Sequence, residues 1–367
     1  MKKQRRSDRL DEPLLPEGDW YDYGHDSLWI VGHTAARFPY GPPRSEMEAS
    51  LERESHGARW ARAKAILRIA LASRIPGARI EIGRVARVGQ GLSRDVFAAD
   101  VEVSPDPVAL SGPYAVLLPT PGADERVSER AEREARLLHR LAELSLPLRV
   151  PRVLGVWPDD EGRLALVRQY LPGVELDPRA GRQPFVRPWE VVGQLAAAVH
   201  SLDVGALAGL LPGHETRTAH AEEALLVFEN LDAPEARAGL AWARDHLPPA
   251  VPSVLLHGDL LGQNILLAPG APPGLVDWEY ARRGDPAYDL AVVTRGVRRP
   301  FQIDRGMDRL LEAHARFGGC AVEAGHVHVF ELSMLAGWYR DSLQATDGEP
   351  PQHSLDRLRA LLRRLHA

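Results

Sequence analysis

Leu255-Leu256-His257-Gly258-Asp259-Leu260-Leu261-Gly262-Gln263-Asn264-Ile265-Leu266-Leu267 is the stretch on which the reading of this 367-residue chain turns. An apolar strand delivers His-Gly-Asp into a loop, and Asn264 stands immediately before a second apolar strand. About twenty residues past His257, the apolar Gly274-Leu275-Val276 delivers Asp277-Trp278-Glu279. Two hairpin-related strands would bring Asp259, Asn264 and Asp277 to one edge. A carboxylate with a side-chain amide offers a hard cation such as Mg²⁺ the oxygen ligands it prefers, and a separate carboxylate can accept the proton of an attacking hydroxyl. Taken singly, the pieces are weak. Gly-Asp pairs are ordinary turn chemistry, and a loop histidine is usually only hydrogen-bonded.

Upstream of this stretch the chain alternates strand and helix signals. Residues 1–50 combine prolines with Trp20, Tyr21, Tyr23, Trp29, Phe38 and Tyr40, and read as an arm that packs onto something or as a poorly ordered extension. From Ser45 to Arg74 the period is helical, with Trp60, Ala63, Leu67, Ala70 and Leu71 on one face. Strand character begins near Arg79, turns at Gly89-Gln90-Gly91 and resumes through Val96 to Val101, which reads as a hairpin with a glycine-rich tip. Then follow an apolar strand from Tyr114 to Leu118, a helix from about Glu125 to Leu144, and two strands around Val153–Trp157 and Leu164–Tyr170. Leu171-Pro172-Gly173 breaks the pattern, and beyond it the chain is chiefly helical. The expected architecture is α+β: a small β-rich lobe over 79–171, a helical lobe over 172–367, an N-terminal extension over 1–78, and a ligand cleft between the lobes.

Three ordered pieces carry a family resemblance: His257-Gly258-Asp259-x4-Asn264-Ile265-Leu266, then Asp277-Trp278-Glu279, then Gly284-Asp285-Pro286-x2-Asp289-Leu290-Ala291. Together they resemble the aminoglycoside phosphotransferase and choline kinase-like family, which has a two-lobed protein-kinase-like fold. The resemblance spans roughly residues 80–345 and is sharp over 255–291. It implies an enzyme that moves the γ-phosphoryl group of ATP or GTP, with Mg²⁺, to a hydroxyl of a small molecule, or of a peptide. By that resemblance Asp259 is the catalytic base, Asn264 and Asp277 are Mg²⁺ ligands, His257 organises the loop and Asp289 braces it. His200 falls at a helix end that is structural in the family. Gly89, Gly91, Ser93 and Arg94 would fold over the nucleotide phosphates, and Gln169 and Tyr170 would belong to the connection that meets the base. Glu279 is left between a place near the metal or its waters and that of a solvated loop charge.

One element departs from the family pattern. A strand like Tyr114-Ala115-Val116-Leu117-Leu118-Pro119 carries, in the family, a Lys or Arg that holds phosphates and pairs with a glutamate on the next helix. Here Leu117 or Leu118 stands at that place, and Glu134 is a helix glutamate without its expected partner. A displaced cation could serve instead, with Arg94 the leading candidate and Arg84 or Arg87 behind it. The alternatives are a different mode of nucleotide binding, or a pseudokinase that acts as a nucleotide-, peptide- or partner-binding module.

Bulk composition agrees with a globular enzyme and narrows little else. The chain is 44% apolar and 26% charged, with formal net charge -5, so nothing global points to nucleic acid or an anionic membrane surface. A lone cysteine, Cys320, excludes an intrachain disulfide and favours a reducing, cytoplasmic setting. No apolar run reaches the roughly 18 residues of a membrane-spanning helix. Glu222, Glu223, Glu229, Asp232, Asp341 and Asp347 could line a pocket for a cationic acceptor such as an aminoglycoside, or could be solvated helix faces.

Overall fold

A computed structural model describes residues 46–90, 93–344 and 350–366, with the side chains of 46–56 and Gln90 left out. The aromatic arm over 1–45, Gly91 and Asp347 therefore lie outside the described residues.

The N-terminal lobe opens with helix α1 (Glu46–Ala72), followed by β1 (Arg79–Ile82), β2 (Ala86–Gln90), β3 (Arg94–Ser104) and β4 (Gly112–Pro119). Helix α2 (Val127–Leu141) precedes β5 (Val153–Pro158) and β6 (Leu164–Gln169). The strands form an antiparallel sheet in the order β1-β3-β4-β6-β5, with β2 pairing the start of β3. Because side chains alternate across a strand, the sheet has two distinct faces. Phe97, Val101, Val116, Leu118 and Val167 pack outward against Ala63, Ile66, Leu67, Ala70 and Leu71 of α1. Ala115, Leu117 and Leu166 face the other way, toward Ala135 of α2. The helical period of α1 places four of its five expected apolar residues in this core, whereas Trp60 is 41% exposed and Ile66 is buried in its stead.

After the break at Leu171-Pro172-Gly173 come β7 (Val174–Glu175), α3 (Pro188–His200), α4 (Arg217–Leu225) and α5 (Pro234–Asp245). The catalytic-motif region supplies β8 (Val254–Leu256), β9 (Ile265–Leu267), β10 (Gly274–Leu275) and β11 (Arg282–Gly284). Helices α6 (Ala287–Thr294), α7 (Gly306–Arg316), α8 (Ala324–Gln344) and α9 (Pro351–Leu365) complete the lobe. Its apolar core gathers Leu195, Val199, Leu255, Leu256, Leu290, Phe330, Leu335 and Leu361. Against this helical mass lie two small sheets, β10-β9-β7 and β11-β8, whose strand ends carry the polar residues of the motifs. No helix among the described residues is long and apolar enough to cross a membrane.

Two buried histidines give the helical lobe a defined response to acid. His220 accepts the Asp285 backbone N–H at Nδ1, 3.0 Å away. Burial, with Arg282 and His214 nearby, pushes it down to about 3. Burial and the adjacent His200 likewise push His314 down to about 3. Both stay neutral in the fold down to that pH, yet take up a proton near pH 6.5 once unfolded. The unfolded state therefore binds more protons between about pH 6.5 and 3. Stability is fully present above pH 6.5 and falls as pH drops, by up to ~1.4 kcal/mol per pH unit for each histidine. His220→Asn, which keeps an acceptor for the Asp285 N–H, should flatten the decline in urea midpoint between pH 7 and pH 5. An unchanged decline would remove His220 from this account.

Candidate active site

The loop after β8 is held by one carboxylate. Asp289, fully buried on α6, accepts the backbone N–H of His257 at Oδ2 and that of Gly258 at Oδ1, both at 2.8 Å. Its Oδ2 also accepts His200 Nε2–H at 3.1 Å, so the Nδ1 of a neutral His200 accepts Nε2–H of His314, 3.0 Å away. Burial alone would raise the Asp289 carboxyl, but these donors outweigh it and hold it below its ordinary value. Such a carboxylate is a fixed anchor for two successive amides.

Within the loop, His257 is neutral because burial disfavours its charged form. Its Nε2–H donates to Val276 O at 3.0 Å, and Nδ1 accepts the Asp259 N–H at 3.3 Å. Its ring meets Trp278 edge-on at 4.7 Å. One imidazole thus ties the His-Gly-Asp turn to the strand leading into Asp277. Gly258 has φ +85°, and a Cβ there would lie 2.3 Å from the Tyr280 carbonyl oxygen, so both the dihedral and the space demand glycine.

Asp259 and Asn264 are brought together by the turn. Asn264 Nδ2 donates to Asp259 O and Oδ2, both at 2.8 Å, while Asp259 Oδ1 has no hydrogen-bond partner among the described residues. Burial pushes the Asp259 carboxyl up to about 7, against the pull of Asn264 and Arg295. Val276 N–H donates to Asn264 O at 3.0 Å, which continues the β9–β10 pairing and sets Asn264 and Asp277 at the same end of that hairpin. Asp277 adopts the left-handed region at φ 67°, which turns its side chain out of the strand direction. Its carboxyl is raised well above the ordinary range by desolvation and by the neighbouring Glu279 and Glu134 carboxylates, in opposition to Arg94. With Asn264 Nδ2 donated to Asp259, the amide oxygen Oδ1 and the Asp277 carboxylate form a hard-oxygen donor pair beside an excess of negative charge. That chemistry fits Mg²⁺.

The displaced cation is where the sequence left it open. Arg94, 4% exposed, stands on the cleft-facing side of β3 with its Nη2 2.7 Å from Glu134, 3.3 Å from Asp277 and 3.3 Å from Glu279. Burial opposes its charge, yet Glu134, Glu279 and Asp277 prevail and raise its pKa. Glu134, without a cation on β4, is thus paired with Arg94 of β3. Leu117, not Leu118, occupies the cleft-facing position of β4, since Leu118 packs toward α1. Val96, two residues beyond Arg94, pairs with Leu117 in register, so Arg94 reaches Glu134 from the strand next to the one that carries Leu117. Of the other two candidates, Arg87 pairs with Asp95 on the far face and Arg84 is exposed.

Glu279 is neither solvated nor peripheral. Its carboxylate accepts Ser93 Oγ–H at 3.0 Å from one lobe edge and Arg130 Nε–H at 3.2 Å from α2, and Arg133 donates to its backbone carbonyl at 3.0 Å. The Asp277-Trp278-Glu279 segment is thereby fastened to the N-terminal lobe, closing the cleft around Ser93 and Arg94. Gly89 lies at the end of β2, opposite Val96. Gln169 ends β6, and Tyr170 N–H donates to Pro113 O at 3.0 Å, so the connection between lobes leaves from the central part of the sheet.

Sequence reasoning missed Arg168, which is 6% exposed and shares the cleft-facing side of β6 with Leu166. Burial lowers its pKa, and Glu134 and Asp277 act against that shift. A single arginine in the apolar run Leu164-Ala165-Leu166-Val167 was the signal that could have found it. Arg130 gave no such signal, because it sits among the many charges of α2. Of the acidic residues considered for a cationic acceptor, Glu223 pairs with His214, Asp232 with Arg237 and Asp341 with Arg340. Glu222 and Glu229 are exposed. The basic group acting on Asp259 is Arg295.

A curled sheet flanked by two helices, a helical lobe, and the loop of Asp259 and Asn264 beside Asp277 at their junction define a two-lobed, protein-kinase-like phosphotransferase fold. The chain belongs to the phosphotransferase enzyme family, whose match covers residues 84–327. It is 32% identical over 168 residues to homoserine kinase of Sinorhizobium fredii, covering 42% of this chain and 49% of that protein. It is 31% identical over 190 residues to viomycin phosphotransferase of Streptomyces vinaceus, covering 47% and 64% respectively. The chain thus spans about half the length of the homoserine kinase it matches. Among solved structures, a macrolide 2'-phosphotransferase from Brachybacterium faecium superposes with TM-score 0.56 at 23% identity, covering 81% of this chain and 97% of that one. The GDP complex of aminoglycoside 2'-phosphotransferase-IIIa gives 0.57 at 16% identity, covering 82% and 99%. These likenesses establish the shared fold.

Proposed function

We propose that this protein transfers the γ-phosphoryl group of ATP or GTP to a hydroxyl of a small molecule held between the lobes. The observation that carries this reading is the convergence of Asp259, Asn264, Asp277 and Arg94 at the cleft, with Arg94 joined to both Glu134 and Asp277. A pseudokinase reading would need that apparatus to be broken at the cation, and Arg94 fills the gap.

Asp259, buried and with Oδ1 unpartnered, accepts the proton of the acceptor hydroxyl as its oxygen attacks the γ-phosphorus. Asn264 and Asp277 would hold Mg²⁺, which when bound neutralises charge on the donor's phosphates. Arg94 supplies charge-assisted hydrogen bonds to the same phosphates, with Ser93 and the backbone near Gly89 beside it. Gln169 and Tyr170 border the base. His257 and Asp289 keep the loop in register and take no part in proton transfer.

The acceptor is a hydroxylated small molecule. Relatives are named for homoserine and viomycin, and structural neighbours for macrolides and aminoglycosides, so a panel drawn from these four classes is the informative one. ATP and GTP should each be tested for a thermal shift with and without Mg²⁺, followed by phosphate transfer across that panel. A Mg²⁺-dependent shift with at least one nucleotide is the expected result. No shift with either, together with no transfer to any acceptor, would sink the enzyme reading.

A further inference from the structure

Arg94 sits at the first residue of β3 and has three carboxylates within 3.3 Å to choose from. A cation in the middle of β4 would be held by a strand on either side. One at a strand end needs another brace, and the outer face of the sheet supplies it. Asp95, whose side chain points opposite to that of Arg94, is 3% exposed and receives two guanidinium groups. Arg87 of β2 is one, and Arg59 of α1 is the other, with its Nη2 2.7 Å from Asp95 Oδ2. The same Nη2 donates to Pro119 O at 3.0 Å. Pro119 is the register partner of Arg94 across β3 and β4, and Thr120 N–H extends that ladder to Ser93 O at 2.9 Å. The Arg59 guanidinium also lies over the buried Phe97 ring, 6.0 Å from its centroid. One side chain therefore grips both strands behind the level at which Arg94 leaves them.

We propose that Arg59 is a positioning residue for the phosphoryl donor: by clamping Asp95 and the Pro119 carbonyl it aims Arg94 at the nucleotide phosphates. Arg59 precedes the segment matched by the family, 84–327, so α1 becomes a working part of the site and not only a cover for the sheet. The inference rests on the phosphotransferase reading above. It also accounts for why the cation can serve from β3: one Arg59 nitrogen, Nη2, holds the Asp95 carboxylate and the Pro119 carbonyl at once.

The test uses the full chain with MgATP and MgGTP. Arg59→Met, which keeps the aliphatic stem, should raise KM and the nucleotide dissociation constant about tenfold with kcat little changed, and Arg59→Lys should recover part of the loss. In an Arg94→Met background, Arg59→Met should add little further loss of nucleotide affinity, because its effect passes through Arg94. A fall in Tm with unchanged nucleotide KM, or losses that simply add in the double variant, would overturn the proposal. Should Arg59→Met fail to fold, Asp95→Asn and Arg59→Lys carry the same comparison. Wild-type protein that binds neither nucleotide refutes the phosphotransferase reading itself, whereas wild-type binding with an indifferent Arg59→Met refutes only the clamp.

Discussion

Asp259→Asn is expected to lower kcat for phosphoryl transfer by roughly 100- to 10,000-fold, the range for removal of a general base, while nucleotide affinity stays within about twofold. The two side chains have the same shape, and an Asn oxygen can still accept from Asn264 Nδ2 where Asp259 Oδ2 does so now. The new amide nitrogen would fall at Oδ1, which has no hydrogen-bond partner among the described residues. Burial already pushes the Asp259 carboxyl up to about 7, so a neutral side chain suits the site and Tm should not fall. Loss of turnover with intact folding and binding isolates the proton-accepting step. Activity within tenfold of wild type would refute Asp259 as the base. The comparison is sharpest with Asp289→Asn, which retains shape but weakens the acceptor of two loop amides, and which should lower Tm and kcat together.

Arg94→Met should have the second large effect, on stability and on affinity at once. Glu134 is completely buried, and Arg94 is its ion-pair partner. Removing one member of a buried pair leaves an uncompensated charge and costs about 3–5 kcal/mol, which corresponds to a Tm drop of roughly 5–15 °C. Nucleotide affinity should also fall by about ten- to a hundredfold, from loss of charge-assisted hydrogen bonds worth roughly 1.5–3 kcal/mol each. The two effects separate in the double variant Arg94→Met/Glu134→Gln. Removing the stranded charge should restore much of the Tm and none of the affinity. Recovery of nucleotide binding in the double variant would show that Arg94 serves Glu134 alone.

The motifs from His257 to Asp289 were legible in the sequence because they are local. Each is a short strand end followed by a turn, and β9 with β10 needs only a few residues between them to bring Asn264 near Asp277. The helices were legible for a related reason: a 3.6-residue period records one buried face without needing to know the partner. Arg94 could be ranked ahead of Arg84 and Arg87 but not fixed. Choosing required knowing which face of β3 opens to the cleft, and strand alternation fixes only that neighbours differ. Glu279 remained ambiguous for the same reason. A charge in a loop reads as solvated until an opposing lobe supplies Ser93, Arg94 and Arg130 to bury it.

By itself, then, the sequence determined the family, the order of lobes and the loop that joins Asp259 to Asn264, because those depend on residues close along the chain whose spacing already encodes their geometry. The tertiary structure decided which carboxylates surround Arg94. Arg94 and Glu134 stand forty residues apart, Arg94 and Asp277 far more, and Arg59 and Asp95 meet only because α1 folds back over the outer face of the sheet. Ion pairs of this kind are set by which faces pack together, and no periodicity along the chain records that choice.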